Sequence, residues 1–136
     1  MESIVVEVLI PQELDKVWEA WTQPELIQKW NFASDDWHCP AAINELKAGG
    51  TLKWRMESKD GKLGFDFIGT YLEVRPKEFI AYHIEDGRKV EISFIENGNQ
   101  VKLSESFEPE NQNSLELQKQ GWQAILENFK KHAESL

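Results

Sequence analysis

The sequence predicts an α+β protein in which a curved antiparallel sheet of about seven strands surrounds a long C-terminal helix. Three observations support this fold class: a first strand of alternating apolar residues, six later strand-like segments separated by turns, and a final amphipathic helix. A sheet of this size must curl to cover its apolar face, and the final helix is the element able to fill the concavity. We therefore predict a helix-grip arrangement.

The first strand is predicted at residues 3–10, where β-branched residues alternate between two faces before Pro11. Two short helices are predicted next, at residues 12–21 and 25–30, and Pro24 marks the break between them. Their large aromatic residues recur at helical spacing, which favours core packing over ligand contact. These residues are Trp18, Trp21 and Trp30.

Six further strands follow, and the last four are expected to form an antiparallel meander because short turns separate them, at Pro76, Asp86-Gly87 and Asn97-Gly98. A glycine in the middle of the longest strand, Gly69, predicts a bulge or a sharp bend. The predicted segments are a weakly extended stretch at 37–46 and strands at 52–57, 63–74, 79–84, 89–96 and 100–107.

The final helix is predicted at residues 113–136. Asn113 and Glu116 form a variant of the capping box at its start, and basic residues occupy its last turns. One face is apolar over the whole length, so we expect this face to be buried. The residues of that face are Leu115, Trp122, Ile125, Leu126, Phe129, Ala133 and Leu136.

Length and charge restrict the function. A chain of 136 residues predicts one domain, residues 1–136, and the net charge of −9 disfavours nucleic acid and anionic lipid as partners. No stretch approaches the ~20 apolar residues of a membrane span, so no membrane insertion is expected. The first four residues lack the features of a signal peptide, which predicts a cytoplasmic protein.

The cysteine and histidine content predicts no disulfide, no metal site and no cofactor. Cys39 is the one cysteine, and we interpret it as a structural thiol. His38, His83 and His132 lack the spacing of zinc ligands. A hydrogen-bonded structural role is favoured for His83 over that of a catalytic base.

Two polar residues occupy apolar positions and are candidates for ligand contact. Glu105 alternates in phase with apolar residues of its strand, which directs its carboxyl inward, and Gln118 lies on the apolar arc of the final helix. A buried ionised carboxylate needs a cation, hydrogen-bond donors, water or a ligand. A sheet-rim position for Glu105 and water access for Gln118 are the alternative interpretations.

Four motifs spread over nearly the whole chain are specific in combination. They are Pro11-x5-Val17-Trp18-Glu19-Ala20-Trp21-Thr22-x-Pro24-Glu25-x4-Lys29-Trp30, Leu46-Lys47-Ala48-Gly49-Gly50, Gly69-Thr70-Tyr71-Leu72-Glu73-Val74-x-Pro76 and Gly121-Trp122. Together they resemble the START-like (SRPBCC) superfamily, and within it the branch named after the homologue of the heat-shock-protein-90 ATPase activator. The resemblance implies a helix-grip fold with an internal apolar cavity. Members of this superfamily bind lipids, polyketides, flavonoids or other hydrophobic molecules, and some are enzymes.

We therefore predict a noncatalytic binding or carrier domain for a hydrophobic or amphipathic small molecule. One alternative is a cyclase- or hydratase-type enzyme acting on a polyketide, in which Glu105 or His83 moves a proton. Another is a module that stimulates a chaperone ATPase, although the activator has a separate chaperone-binding domain for which this sequence has no room. Binding is favoured because no nucleophile or paired-carboxylate motif can be identified. The predicted ligand-binding residues are Trp54, Met56, Phe65, Phe67, Tyr71, Phe94, Glu105, Gln118, Trp122, Ile125 and Phe129.

Overall fold

The computed structural model describes residues 3–136. Its strands are β1 (Ile4–Ile10), β2 (Trp37–Asn44), β3 (Thr51–Ser58), β4 (Gly64–Arg75), β5 (Phe79–Ile84), β6 (Lys89–Asn97) and β7 (Gln100–Phe107). The helices are α1 (Leu14–Thr22), α2 (Pro24–Ile27) and α3 (Leu115–Glu134). All seven strands form one antiparallel sheet in the order β1-β7-β6-β5-β4-β3-β2. The predicted element order and helix-grip fold are confirmed, whereas α2 is shorter than predicted.

Helix α3 lies against the concave face of the sheet and is held there by burial and by side-chain hydrogen bonds. Leu126 is completely buried on its inner side. The Gln123 amide donates to the backbone oxygen of Glu7 in β1, at 3.0 Å, and the Asn128 amide donates to the backbone oxygen of Trp30, at 2.8 Å. These bonds fix the helix both to the sheet edge and to the segment that follows α2.

The predicted start of the final helix is wrong by one residue. Ser114 is the N-cap, and its hydroxyl oxygen accepts a hydrogen bond from the backbone N–H of Leu117 at 3.1 Å. Asn113 lies outside the helix, because its backbone N–H and its amide both donate to the Glu110 carboxylate. The proposed capping box of Asn113 and Glu116 is therefore absent from the described structure.

The predicted buried face is also too long at both ends. Leu115 is 60% exposed and Leu136 is 42% exposed. Leu115 is the first helical residue, in a turn where only Gln118 is buried, and Leu136 follows the end of the helix. The sheet and the short helices cover the middle and the last turns of α3, where Phe129 and Ala133 are completely buried.

Gly69 forms no bulge, which was one of the two features predicted for it. It pairs in regular register with Leu52 on one side and Ile84 on the other, and the register shift of β4 lies between Tyr71 and Glu73. A glycine is nevertheless required, because a β-carbon at this position would lie 2.7 Å from a backbone oxygen of β5. Gly69 thus permits close approach of two strands.

Residues 3–136 contain no helix with the length and apolar character needed to cross a membrane.

Candidate ligand-binding site

A cavity of about 180 Å³ lies between the sheet and helix α3. Its mouth is beside Phe65, a lining residue that is 50% exposed. An apolar cavity of roughly 150 Å³ holds a benzene molecule, so this space has room for one ring with a small substituent. The lining residues are Trp21, Trp30, Asn31, Trp54, Met56, Phe65, Phe67, Tyr82, Glu105, Trp122 and Ile125.

Paired aromatic rings form most of the cavity wall. Trp54 of β3 stacks on its cross-strand neighbour Phe67 of β4, with ring centroids 5.4 Å apart and an interplanar angle of 7°. On the helical side, Trp21 stacks on Trp30 with centroids 4.8 Å apart. The Trp30 indole N–H donates to the backbone oxygen of Ala20 at 2.8 Å, which fixes the segment after α2 against α1. The wall is therefore preformed by packing and hydrogen bonding.

The structure brings together seven of the eleven residues that the sequence predicted for ligand contact. They belong to strands β3, β4 and β7 and to helix α3, so the predicted meeting of sheet and helix occurs at this cavity. Their contact with a ligand stays a prediction. The seven residues are Trp54, Met56, Phe65, Phe67, Glu105, Trp122 and Ile125.

Two aromatic residues predicted for the cavity lie in the packed core instead. Phe94 makes an edge contact with Trp18, with ring centroids 5.1 Å apart. Phe129 packs edge-on against Trp21 and Trp30, at 4.9 and 4.8 Å. Because α1 and the segment after α2 cover these rings, Phe94 and Phe129 support the cavity wall from behind.

The polar groups of Tyr71 and Gln118 are also directed elsewhere than predicted. The Tyr71 hydroxyl donates to the side-chain oxygen of Asn44 in β2. The Gln118 amide is buried, but it accepts from the backbone N–H of Glu110 at 2.9 Å and donates to the backbone oxygens of Glu110 and Asn113. Gln118 therefore closes the loop before α3 and does not line the cavity.

Four lining residues were missed by the sequence analysis. Trp21 and Trp30 were assigned to the core, yet each both packs and faces the cavity. Tyr82 is buried on β5, and its neighbour His83 is exposed on the outer face. The two-residue alternation of a strand would therefore have predicted that Tyr82 points inward. Asn31 gave no sequence signal, since it begins a polar segment typical of an exposed turn, whereas the structure buries it.

Glu105 is the charged residue that lines the cavity. It is 5% exposed, and its cross-strand neighbours are Val6 in β1 and Ile92 in β6. Within residues 3–136 its carboxyl forms no hydrogen bond and no ion pair. Burial raises the pKa of Glu105 from 4.5 to about 8. At neutral pH the group is therefore mainly an uncharged carboxylic acid.

Two hydrogen-bond donors at the cavity also lack partners in the described part of the chain. The indole N–H of Trp54 and the side-chain amide nitrogen of Asn31 are buried without an acceptor. Asn31 lies close enough to Cys39 to favour its thiolate slightly, but burial dominates and raises the pKa of Cys39 to about 11. The thiol is thus unreactive, as a structural cysteine should be.

The described residues include no group of three or more side chains suited to hold a metal ion. His83 lies on the outer face of β5, away from the cavity, so the hypothesis that it acts as a base on a cavity ligand is wrong. The titratable groups that line the cavity in the described structure are Glu105 and Tyr82. Acid–base chemistry at this site would therefore depend on Glu105.

Residues 12–134 match the family of activator of Hsp90 ATPase homolog 1-like proteins. The chain belongs to this family. Its membership confirms the resemblance predicted from the four motifs, and it is consistent with a fold whose sheet and final helix enclose a ligand site. No curated protein matches the chain significantly.

Solved structures support the same family. An AHSA1-like protein from Aeromonas hydrophila is 37% identical with a TM-score of 0.93, and the match covers 98% of this chain and 93% of that chain. A protein from Cytophaga hutchinsonii is 49% identical with a TM-score of 0.84, covering 98% of this chain and 92% of that one. A protein from Nitrosomonas europaea, at 16% identity and a TM-score of 0.84, shares the fold; the match covers 98% of this chain and 94% of the other.

Proposed function

We propose that this member of the family binds a small hydrophobic or amphipathic molecule in the cavity between the sheet and α3, without catalysis. The observation that carries the proposal is an aromatic-walled space containing the carboxyl of Glu105, which has no partner among residues 3–136. Small-molecule sites are typically apolar cavities with a few polar groups that orient the ligand. Burying a polar group without a partner is costly, so a bound molecule would offset that cost.

The cavity volume selects among the lipid, flavonoid and polyketide ligands considered from the sequence. About 180 Å³ accommodates one ring or a short acyl segment, but not a fused-ring polyketide or a complete lipid. A larger ligand would leave its remaining part at the mouth, beside the exposed ring of Phe65. Stacked tryptophans favour a planar ring as the enclosed part.

A two-variant NMR experiment tests the proposal. Single-ring phenols, ketones and short acyl compounds are titrated into the ¹⁵N-labelled protein, and amide shifts around the cavity are followed. Ile125→Phe should block the cavity, whereas Ile95→Phe makes the same change on the outer face of β6, where Ile95 is 50% exposed. We expect binding to disappear with Ile125→Phe and to persist with Ile95→Phe. No response to any compound, or an equal response of both variants, would contradict a cavity ligand.

Proton transfer is the second candidate function, because Glu105 combines a cavity position with a pKa raised to about 8. A ketone held beside such a group should exchange its α-protons with solvent. NMR in D₂O would detect this exchange, and Glu105→Gln should abolish it. Exchange at the uncatalysed rate with the wild-type protein would rule out this activity for the ketone tested.

Chaperone stimulation is the third candidate, and its support is the family description, which names an Hsp90 ATPase activator. Adding this protein to an Hsp90-type chaperone should raise the rate of ATP hydrolysis if the candidate is correct. An unchanged rate over a range of protein concentrations would exclude it. A cytoplasmic location stays a prediction.

A further inference from the structure

We infer that the cavity selects a ring compound whose polar group is a hydrogen-bond-accepting oxygen, such as an aromatic ketone or amide, over an amine or a hydrocarbon of the same shape. This inference rests on the proposed binding function and specifies the chemistry of the ligand. It follows from which polar atoms line the cavity and which of them lack partners.

Two N–H groups at the cavity, those of Trp54 and Asn31, lack a hydrogen-bond partner among the described residues. Both are buried, both belong to lining residues, and neither forms a hydrogen bond within residues 3–136; the thiol of Cys39, a weak acceptor, lies near the Asn31 amide. An indole N–H can only donate, and so can an amide NH₂. Buried donors without partners are rare in native structures, because the lost hydrogen bond with water is not replaced. An oxygen on the ligand would supply an acceptor.

Glu105 has apolar neighbours on both adjacent strands, Val6 in β1 and Ile92 in β6. No other charged side chain lines the cavity in the described structure, so no ion pair there offsets the burial of its carboxyl. Its pKa of about 8 leaves it protonated at neutral pH, and a carboxylic acid kept neutral by apolar surroundings donates a hydrogen bond. Glu105 therefore adds a donor to the same cavity.

Tyr82 is the titratable group that faces Glu105 from β5. Burial raises its pKa well above 10, the nearby Glu105 carboxylate and Tyr71 raise it further, and the charge of Arg88 opposes this with a smaller effect. The phenol stays neutral over the pH range in which Glu105 titrates. An amine would thus meet a cavity that lacks negative charge at neutral pH, and it would first require Glu105 to lose its proton.

Three probes of matched shape test the inference: acetophenone, α-methylstyrene and 1-phenylethylamine. At pH 6.5 acetophenone should bind about 10-fold more tightly than α-methylstyrene, which replaces the carbonyl oxygen by a CH₂ group. Raising the pH to 9 removes the Glu105 proton and should weaken acetophenone binding by up to about 10-fold. The amine should show the opposite pH dependence.

Two substitutions assign the effect to individual groups. Glu105→Gln keeps an N–H donor that does not titrate, so acetophenone affinity should be retained at pH 6.5 and should no longer fall by pH 9. Trp54→Phe keeps an aromatic ring and removes the N–H, so it should weaken acetophenone several-fold and α-methylstyrene little. Trp18→Phe removes an indole outside the cavity wall and is the matched control.

The outcomes separate the inference from the function on which it rests. If α-methylstyrene or the amine binds in the cavity as tightly as acetophenone at pH 6.5, the inference is wrong and the binding function stands. If none of the three probes shifts the amides around the cavity, both are wrong. An acetophenone affinity that is independent of pH in the wild-type protein would also overturn the role of Glu105.

Discussion

Replacing Glu105 by glutamine should make the protein more stable at alkaline pH, and the size of the effect can be worked out from its burial. Burial raises the pKa of Glu105 from 4.5 to about 8, because the cavity solvates the charge poorly. At about 1.4 kcal/mol per pH unit, this difference corresponds to about 5 kcal/mol between fully acidic and fully alkaline conditions. Such a change is comparable with the whole stability of a small protein.

The direction in which the free energy of unfolding changes with pH follows from proton binding. Between pH 4.5 and 8 the folded protein holds the Glu105 proton, whereas the unfolded chain has released it. The contribution of the neutral acid is therefore fully present below pH 4.5 and is lost as the pH rises through 8. Glutamine cannot titrate, so the free energy of unfolding of Glu105→Gln lacks this slope.

Urea unfolding at pH 5.5 and at pH 7.5 measures the effect. The free energy of unfolding of the wild type, relative to Glu105→Gln, should fall by about 2 kcal/mol between these values. Other titrating groups are common to both proteins and cancel in the difference. Glu96→Gln, the same change at an exposed position of β6, controls for the substitution itself. Parallel pH profiles for wild type and Glu105→Gln would refute the claim that this carboxyl is buried without a compensating partner.

Three further predictions test other features of the fold. Ser114→Ala should lower the free energy of unfolding by about 1 kcal/mol, and Asn113→Ala by less than about 0.5 kcal/mol, because the hydroxyl of Ser114 caps α3; urea unfolding of both variants decides which residue is the cap. Gly69→Ala should lower the free energy of unfolding by roughly 1–3 kcal/mol, since its β-carbon would clash with a backbone oxygen. At Gly121 an added β-carbon meets no atom within 4 Å, so Gly121→Ala should stabilise helix α3 by up to about 1 kcal/mol; urea unfolding that finds Gly121→Ala the less stable of the two variants would contradict both expectations. Cys39 should react with iodoacetamide at least about 100-fold more slowly in the native protein than in urea, because burial raises its pKa to about 11, and equal rates would contradict that burial.

Local alternation predicted the inward direction of Glu105 because β7 keeps an unbroken two-residue period from Val101 to Phe107. The same rule worked for Trp54 and Met56 in β3. Along a strand with such a period, successive side chains point to opposite faces of the sheet, and burial of the apolar residues decides which face points inward. Spacing therefore predicted the direction of these cavity residues, although it missed Tyr82 and wrongly added Tyr71 and Phe94.

The helical half depended on contacts that spacing does not encode. Phe129 lies on the inner side of α3 as predicted, but the packing of Trp21 and Trp30 decides that it meets these rings and not the cavity. Gln118 was correctly placed on the buried arc, yet its partner is the backbone of Glu110, in a loop without regular periodicity. The local sequence indicates which side of a helix or strand is buried. Which residue of another element that side contacts is decided only when the fold is assembled.

The choice of helix cap illustrates the same limit over a single residue. Asn113 and Ser114 are both good N-caps, so propensity cannot separate them. Glu110 decides between them, because its carboxylate accepts from both the backbone and the side chain of Asn113 and leaves Ser114 to cap α3. One loop carboxylate therefore sets the register of the helix start.

Rigid rings in stacked pairs form much of the cavity wall and limit its collapse. Trp122 of α3 lies on Phe107 of β7 with centroids 4.0 Å apart and an interplanar angle of 10°, and Trp54 lies on Phe67 in a similar way. Flexible aliphatic side chains could rotate to fill a gap of this size, but a stacked ring would have to leave its partner to do so. Aromatic packing thus leaves a space for a ligand beside a carboxyl group that is costly to bury without a partner.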